Sequence, residues 1–564
     1  MPSAFTRTLW LIMSLAFAVG STGTGMAQHN RHDPRVLRED PRLAEGQIAP
    51  VLEGLGEHSR QVTTTSERAQ LFFDQGLRLT YGFNHKEALR AFKEAARLDP
   101  RCAMAYWGWA LVLGPNLNLP MREEVIPQAW EAIQLALENK QYVSQKERDL
   151  IDALAARYSE DPKADRAALN AAYAEAMENL YAQYSDDSDV ATLYAAALMN
   201  QSPWYYWTPD GRPAGRTPEF LAALESVIER DPKHEGALHY YIHAVESADP
   251  DRGVAAADAL RGQAPGAGHL IHMPSHIYMH VGRYAEAFEA NALASAADEG
   301  YMTQCQAQGI YPLNYYPHNL HFLVWAATMQ GRSQAALDAS VKVASRVPED
   351  LRGNDWALYQ TFLSMPLYTM VRFGLWEAIL EQPRPAKGLT YWVGVDHYAR
   401  GVAYAHLGKP AQANKELEAL NVIRSSTQSG ELVVSFSNAK TLLAIAAEVL
   451  QGEIAVAGGR YEEAIAHLDK AVRLEDSMLY NEPPSWHYPV RHVLGAALLD
   501  AGRSKEAEVV YWQDLARNRE NGFALYGLAQ AYAVQGEEVQ AEAARRRFDT
   551  AWKAADAELT SSRY

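Results

Sequence analysis

Residues 76–100 read GLRLTYGFNHKEALRAFKEAARLDP. Gly76, Ala88, Phe92, Ala95 and Pro100 follow one another at intervals of 12, 4, 3 and 5. Small and large residues at these positions are the packing points of a helix–turn–helix unit of about 34 residues that ends in proline. The pattern recurs down the chain. Gly452, Gly459, Tyr461, Ala464, Leu468 and Ala471 repeat it, as do Gly401, Tyr404, Gly408 and Ala413, then Gly495, Gly502 and Ala507. A further copy ends in Tyr532, Gly536 and Ala541, and weaker copies at 269–297 and 318–345 turn at Gly282-Arg283 and Gly331-Arg332.

On these residues the chain resembles the tetratricopeptide repeat (TPR) family across roughly 66–550, in an exported bacterial form. The resemblance implies an all-α fold, a right-handed superhelical solenoid of helix–turn–helix repeats, each packing mainly on its neighbours. It also implies a concave groove that takes peptides or partner proteins. Non-repeat insertions are expected at 114–125, 202–217 and 298–317. The organisation expected is a signal peptide over 1–27, a flexible arm over 28–65 and N-terminal repeats over 66–234. His-rich central repeats over 235–345 and C-terminal repeats with a polar capping helix over 346–564 complete it.

The amino terminus carries one positive charge at Arg7, an apolar run from Leu9 to Val19 and a small-residue site ending at Ala27. This is the pattern of a secretory signal cleaved near Ala27, which implies a periplasmic or secreted mature chain. The run is too short to span a bilayer, and no later stretch is long enough. The net charge of −17 over 564 residues, without basic runs, argues against nucleic acid as a partner. Cys102 and Cys305 are the two cysteines. An oxidising compartment permits a bridge between them, but a single distant pair is no disulfide framework.

Histidine is concentrated. Eight of the 18 lie between His239 and His321. In LHYYIHAVES, His239, His243 and Glu246 share one helix face; in GHLIHMPSHIYMH, His269, His272, His276 and His280 do; in YYPHNLHFL, His318 and His321 do. Aligning Gly282-Arg283 with Gly331-Arg332 carries His269 onto His318 and His272 onto His321. The resemblance places these side chains on the concave groove. If Pro274 starts a helix, His269 and His272 belong to a preceding turn.

Imidazole is the usual ligand of zinc, copper and iron, and a carboxylate adds an oxygen donor. The residues expected to bind a transition metal are His239, His243, Glu246, His269, His272, His276, His318 and His321, with Glu246 as ligand or general base. Whether the chain is an enzyme stays open at this stage. The competing reading is a non-enzymatic groove for a peptide or protein, which rests on fold analogy. A peptide groove spreads its polar contacts along many repeats, whereas here the specialty is confined to three helices. His85, His397, His406, His467, His487 and His492 read as packing or surface residues. The Trp204–Trp207 aromatic run suits a lid or a packing wall. Asn314–Pro317 leads directly into His318 and shapes the site by position. Glu482–Trp486 suits a helix start, and Asn116 and Asn118 suit turns. The sequence contains no phosphate-binding glycine loop, no Gly-x-Ser-x-Gly, no His-Glu-x-x-His and no paired-cysteine metal motif.

Overall fold

A glycine faces a large side chain sixteen residues away in hairpin after hairpin. A Cβ on Gly76 would stand 2.7 Å from the Phe92 ring, and one on Gly108 only 2.3 Å from the same ring. Gly452 meets Leu468 at 2.7 Å, while Gly495 and Gly527 meet Tyr511 at 2.4 and 2.2 Å. Each knob is fully buried. The absent side chain lets two helices approach closely enough for the knob to fill the space between them.

The structure, a computed structural model, describes residues 46–305, 311–434 and 437–564. The expected signal peptide lies outside the described residues. Within them the fold is all-α, built of TPR-like helical hairpins in which consecutive helices pack on each other. Glu67–Tyr81 pairs with His85–Leu98, Thr390–His406 with Pro410–Arg424, Ala439–Ala457 with Tyr461–Asp476 and Gly522–Gln535 with Glu538–Ala551. A two-residue antiparallel ladder, Val433–Val434 with Ser437–Asn438, is the only strand pair among the described residues. No helix among them is long and apolar enough to cross a membrane.

The chain divides into two compact units. One comprises Asp33–Ile277 with Ala290–Tyr316, and the other includes Tyr278–Glu289 with Pro317–Tyr564. The division falls inside the stretch 235–345, so the expected block of His-rich repeats is shared between the units. In the first unit, residues 46–65 are not the flexible arm expected from their mixed composition. The Ile48 and Leu52 amides donate to Glu94 and Gln75 at 2.9 and 2.8 Å. Arg60 bridges Asp187 and Asp189 at 2.9 and 3.0 Å, and the Gly266 amide donates to the Gly54 carbonyl at 2.7 Å. The correction has a simple cause: partners that tie down an irregular segment come from distant positions and leave no local pattern. Cys102 and Cys305 are buried free thiols. Asn116 makes the expected turn, its side chain accepting from the Asn118 and Leu119 amides at 2.8 and 2.9 Å.

Eight hairpins close identically. A residue with positive φ follows the first helix, and the next amide reaches back to a carbonyl five residues earlier, the closure of a Schellman-type cap. Arg283 to Tyr278 (2.8 Å), Arg460 to Ala455 (2.9 Å) and Glu537 to Tyr532 (3.0 Å) are examples. Seven of these turns use glycine, at 282, 331, 374, 408, 459, 502 and 536. The eighth uses Phe83, with φ +55° and the Asn84 amide on the Leu79 carbonyl at 2.9 Å.

Two glycine substitutions test the socket reading. In a helix interior, alanine gains about 0.8–1 kcal/mol over glycine from propensity alone. Gly300, inside the helix Tyr284–Cys305 with nothing within 4 Å of its added Cβ, shows that gain as Gly300→Ala in urea denaturation. Gly108→Ala instead destabilises by about 1–3 kcal/mol, because overpacking against Phe92 outweighs propensity.

Candidate metal centre

The first unit gathers five of the expected histidines and Glu246 in its interior. His239 and His243 stand one turn apart on the helix Glu235–Val245, and Glu246 caps that helix. His269 and His272 lie on Gly268–His272, and His276 on Pro274–His280. Pro274 splits what would otherwise be one helix, yet the residue at the break, Met273, keeps helical geometry. His269 and His272 therefore stay helical, so the turn that Pro274 raised as an alternative is not what forms.

All six side chains are buried, between 0% and 3% exposed. An open groove lined by imidazoles is thus corrected to an enclosed cluster. Phe83 covers His239 at 4.4 Å between ring centroids, and stacks on His269 at 5.4 Å and His243 at 5.9 Å. Tyr315 lies edge-on to His269 at 4.9 Å. Trp204 meets His243 edge-on at 5.2 Å, and the Trp207 indole donates to the Ala244 carbonyl at 2.7 Å, so the insertion 202–217 forms a wall here.

The outer nitrogens fix how the inner ones face. The Tyr81 carbonyl can only accept, so His239 Nδ1–H donates to it at 2.5 Å. The Glu246 carboxylate lies 3.4 Å from Nδ1 of His243 through Oε1 and 2.9 Å from Nδ1 of His276 through Oε2. Asn291 Oδ1 accepts from His272 Nδ1 at 2.7 Å. With Nδ1 protonated, His239 and His272 each carry a lone pair on Nε2 when neutral. Each lone pair faces a second imidazole: His272 meets His276 Nε2 to Nε2 at 2.9 Å, and His239 meets His269 at 3.2 Å. A contact of this length between two ring nitrogens has a proton or a cation between them. Burial and the neighbouring His243 hold His239 well below the usual imidazole range, which favours neutral rings. The ligand atoms of His239, His243 and His269 all lie within 4.8 Å of one another.

For metal–nitrogen bonds of about 2.0–2.1 Å, neighbouring ligand nitrogens stand roughly 2.9–3.4 Å apart. Both observed separations fall in that window. Carboxylate, carbonyl and amide groups behind the imidazoles are the outer partners that orient histidine ligands. Glu246 stands beside His243 and His276, where its carboxylate can orient a ring or offer an oxygen ligand.

His318 and His321 belong to the second unit, on the helix Tyr316–Met329. His318 packs on Phe322 at 4.9 Å, while His321 is buried near Phe362 and held down to about 4 by burial. Glu482–Trp486 precedes the helix Val490–Asp500 instead of opening it.

Sequence reasoning missed Tyr81, Phe83 and Asn291. Phe83 left a signal, since Phe83-Asn84 stands where the other hairpins carry Gly-Arg or a similar glycine turn. Also missed was His58–Asp189–His234, whose ligand atoms are equally close. Its chemistry differs. His234 Nδ1 accepts from the Ala237 amide at 3.1 Å, so Nε2 carries the proton and points at Asp189. Asp189 further receives His58 at 2.9 Å, Tyr81 at 2.6 Å and Arg60 at 3.0 Å, which hold it well below the usual carboxylate range. This cluster is satisfied by protons.

No family model and no curated protein matches the sequence. Solved structures similar to the chain include the Cut9–Hcn1 hetero-tetramer of the APC/C, at 14% identity over 86% of this chain and 74% of that one, with a TM-score of 0.28. The human IFIT1 dimer with m7Gppp-AAAA is similar at 12% identity, 87% and 91% coverage and a TM-score of 0.28. Yeast Tom70 is similar at 10% identity, 85% and 93% coverage and a TM-score of 0.27. These are likenesses of fold alone, and the hairpins described above carry the fold assignment.

Phe83→Gly keeps the turn geometry while removing the cover. The variant retains its helical circular dichroism, and the clustered histidines react several-fold faster with diethylpyrocarbonate than in the parent. Beside Phe83, at 6.1 Å between rings, His85 is held down to about 4 by burial and by the positive charge of Arg157. A histidine depressed on folding contributes stability that is lost as pH falls below its unfolded value. Between pH 6.5 and 4 the chain loses stability, and His85→Gln removes about 2 kcal/mol of that loss.

Proposed function

We propose that the chain is a TPR-like scaffold whose first unit binds a transition-metal ion in its buried histidine cluster. The observation that carries this reading is the pair of Nε2-to-Nε2 contacts, in each of which one imidazole, His239 or His272, has its Nδ1 committed to an outside acceptor. His239, His243 and His269 form the primary ligand set, and His272 and His276 supply a second pair of nitrogens. Glu246, Tyr81 and Asn291 orient the rings. Neutral imidazole nitrogens suit zinc, copper or iron and are poor partners for calcium or magnesium. Three protein ligands with a further open position are the arrangement of catalytic rather than structural zinc sites. Metal-activated water is the chemistry such a centre would offer. The amino-terminal pattern over 1–27 supports export, and hence loading with metal in the periplasm or outside the cell.

The test is elemental analysis of desalted full-length protein, prepared without a polyhistidine tag. The parent carries at least about one equivalent of zinc, copper or iron per chain, and His239→Ala/His243→Ala/His269→Ala carries none while keeping its helical signal. Because ligating imidazole must be neutral, retention falls as pH drops below about 6. A parent that stays metal-free after reconstitution with each ion overturns the reading and leaves peptide or protein capture as the function to pursue.

A further inference from the structure

The second unit buries a cation that no carboxylate faces. Arg372 ends the helix Ala357–Arg372 and is 1% exposed. Its Nη1 donates to the Arg563 carbonyl at 3.2 Å and its Nη2 to His492 Nδ1 at 2.9 Å. The guanidinium carbon lies 3.3 Å over the Phe523 ring and 5.0 Å from that of Tyr488. Among the described residues Arg372 makes no ion pair, and Asp514 is reached only at one remove, through His492 Nε2 at 2.8 Å. Burial alone pushes Arg372 down to about 10. An unpaired buried charge costs several kcal/mol unless something compensates it.

Arg372 lines a small cleft, partly open to solvent, together with Thr328, Thr369, Trp486 and His487. Three nitrogens of these lining residues are buried without a hydrogen-bond partner among the described residues: Arg372 Nε, Trp486 Nε1 and His487 Nε2. Most buried polar groups are paired, so three orphans at one cleft need an explanation. Arg372 Nε–H and Trp486 Nε1–H can only donate. His487 is engaged by the Tyr368 backbone, and burial and the Arg372 charge hold it well below the usual imidazole range, which leaves Nε2 a lone pair to accept from a ligand hydroxyl. Thr328 and Thr369 add hydroxyls, and among the described residues no acidic one lines the cleft.

We propose that this cleft binds an oxyanion, a carboxylate or phosphate group held by Arg372 and Trp486. The anion supplies the acceptors that both N–H groups lack and neutralises the guanidinium. Glu482-Pro483-Pro484-Ser485-Trp486, singled out in the sequence, then acts as the wall that presents the indole, with Pro483 and Pro484 lining the cleft.

The test is titration of the full-length protein with sodium phosphate and with sodium acetate, each against sodium chloride at matched ionic strength. Isothermal calorimetry and tryptophan fluorescence are the readouts. Saturable binding of phosphate alone assigns a phosphate ligand, and of acetate alone a carboxylate. Trp486→Phe keeps the ring and removes the donor, and it weakens binding about tenfold, as expected for one hydrogen bond to a charged group. Arg372→Gln abolishes binding. Should that variant not fold, Trp486→Phe still decides. The His239→Ala/His243→Ala/His269→Ala protein binds the anion unchanged, which separates this site from the metal reading. No saturable binding beyond chloride, or equal binding by Trp486→Phe, overturns the proposal.

Discussion

The fold depends on one repeated steric fit, a large side chain seated where a glycine lacks one. Phe92 sits between Gly76 and Gly108, and Tyr511 between Gly495 and Gly527, sixteen residues to either side. Neither partner works alone. Without the knob the close approach leaves a void, and without the glycine the knob has no room. Because the fit links each helix to the next, hairpins can be added in series with little demand on distant sequence.

The histidine cluster borrows this framework and departs from it at one point. Glu67–Tyr81 packs on Glu235–Val245, with Gly236 close against the Tyr81 ring. That contact sets the Tyr81 carbonyl against His239 Nδ1. The same hairpin then turns on Phe83 where its counterparts use glycine. A left-handed backbone costs a non-glycine residue about 1–2 kcal/mol. Glycine would avoid that cost but would leave His239, His243 and His269 without their cover. Trp204, which meets His243, has positive φ too, so strain at turns whose side chains reach the imidazoles marks where packing yields to a site.

The hairpins were legible because their information is local: glycine, knob and alanine recur at fixed spacing within each unit. The histidine faces were legible for the same reason, since His239 with His243 and His272 with His276 are one helical turn apart. Enclosure was not legible. Phe83 and Trp204 cover rings that lie far along the chain, and no periodicity announces such a pairing. The order of residues 46–65 was hidden likewise, for Arg60 meets Asp187 and Asp189 across more than a hundred positions. Glu246 read as a ligand from its place on the helix face. In the fold its two oxygens stand near Nδ1 of His243 and of His276, a placement that only the packing of separate helices sets.

The two histidine clusters of the first unit show why ligand spacing alone does not define a metal site. Both bring three ligand atoms within 4.8 Å. In His58–Asp189–His234 the carboxylate is central, and Arg60, Tyr81 and the histidines all direct hydrogen at it. A cation placed there would compete with donors already present. In His239–His243–His269 the order is inverted. The Tyr81 carbonyl and the Glu246 carboxylate stand outside, against Nδ1 of His239 and of His243, and the opposite edge of each of these two rings is left to face the inside. What decides between the two is which ring nitrogen the surrounding fold has already claimed, and Tyr81 makes that choice twice, with its hydroxyl at Asp189 and its carbonyl at His239.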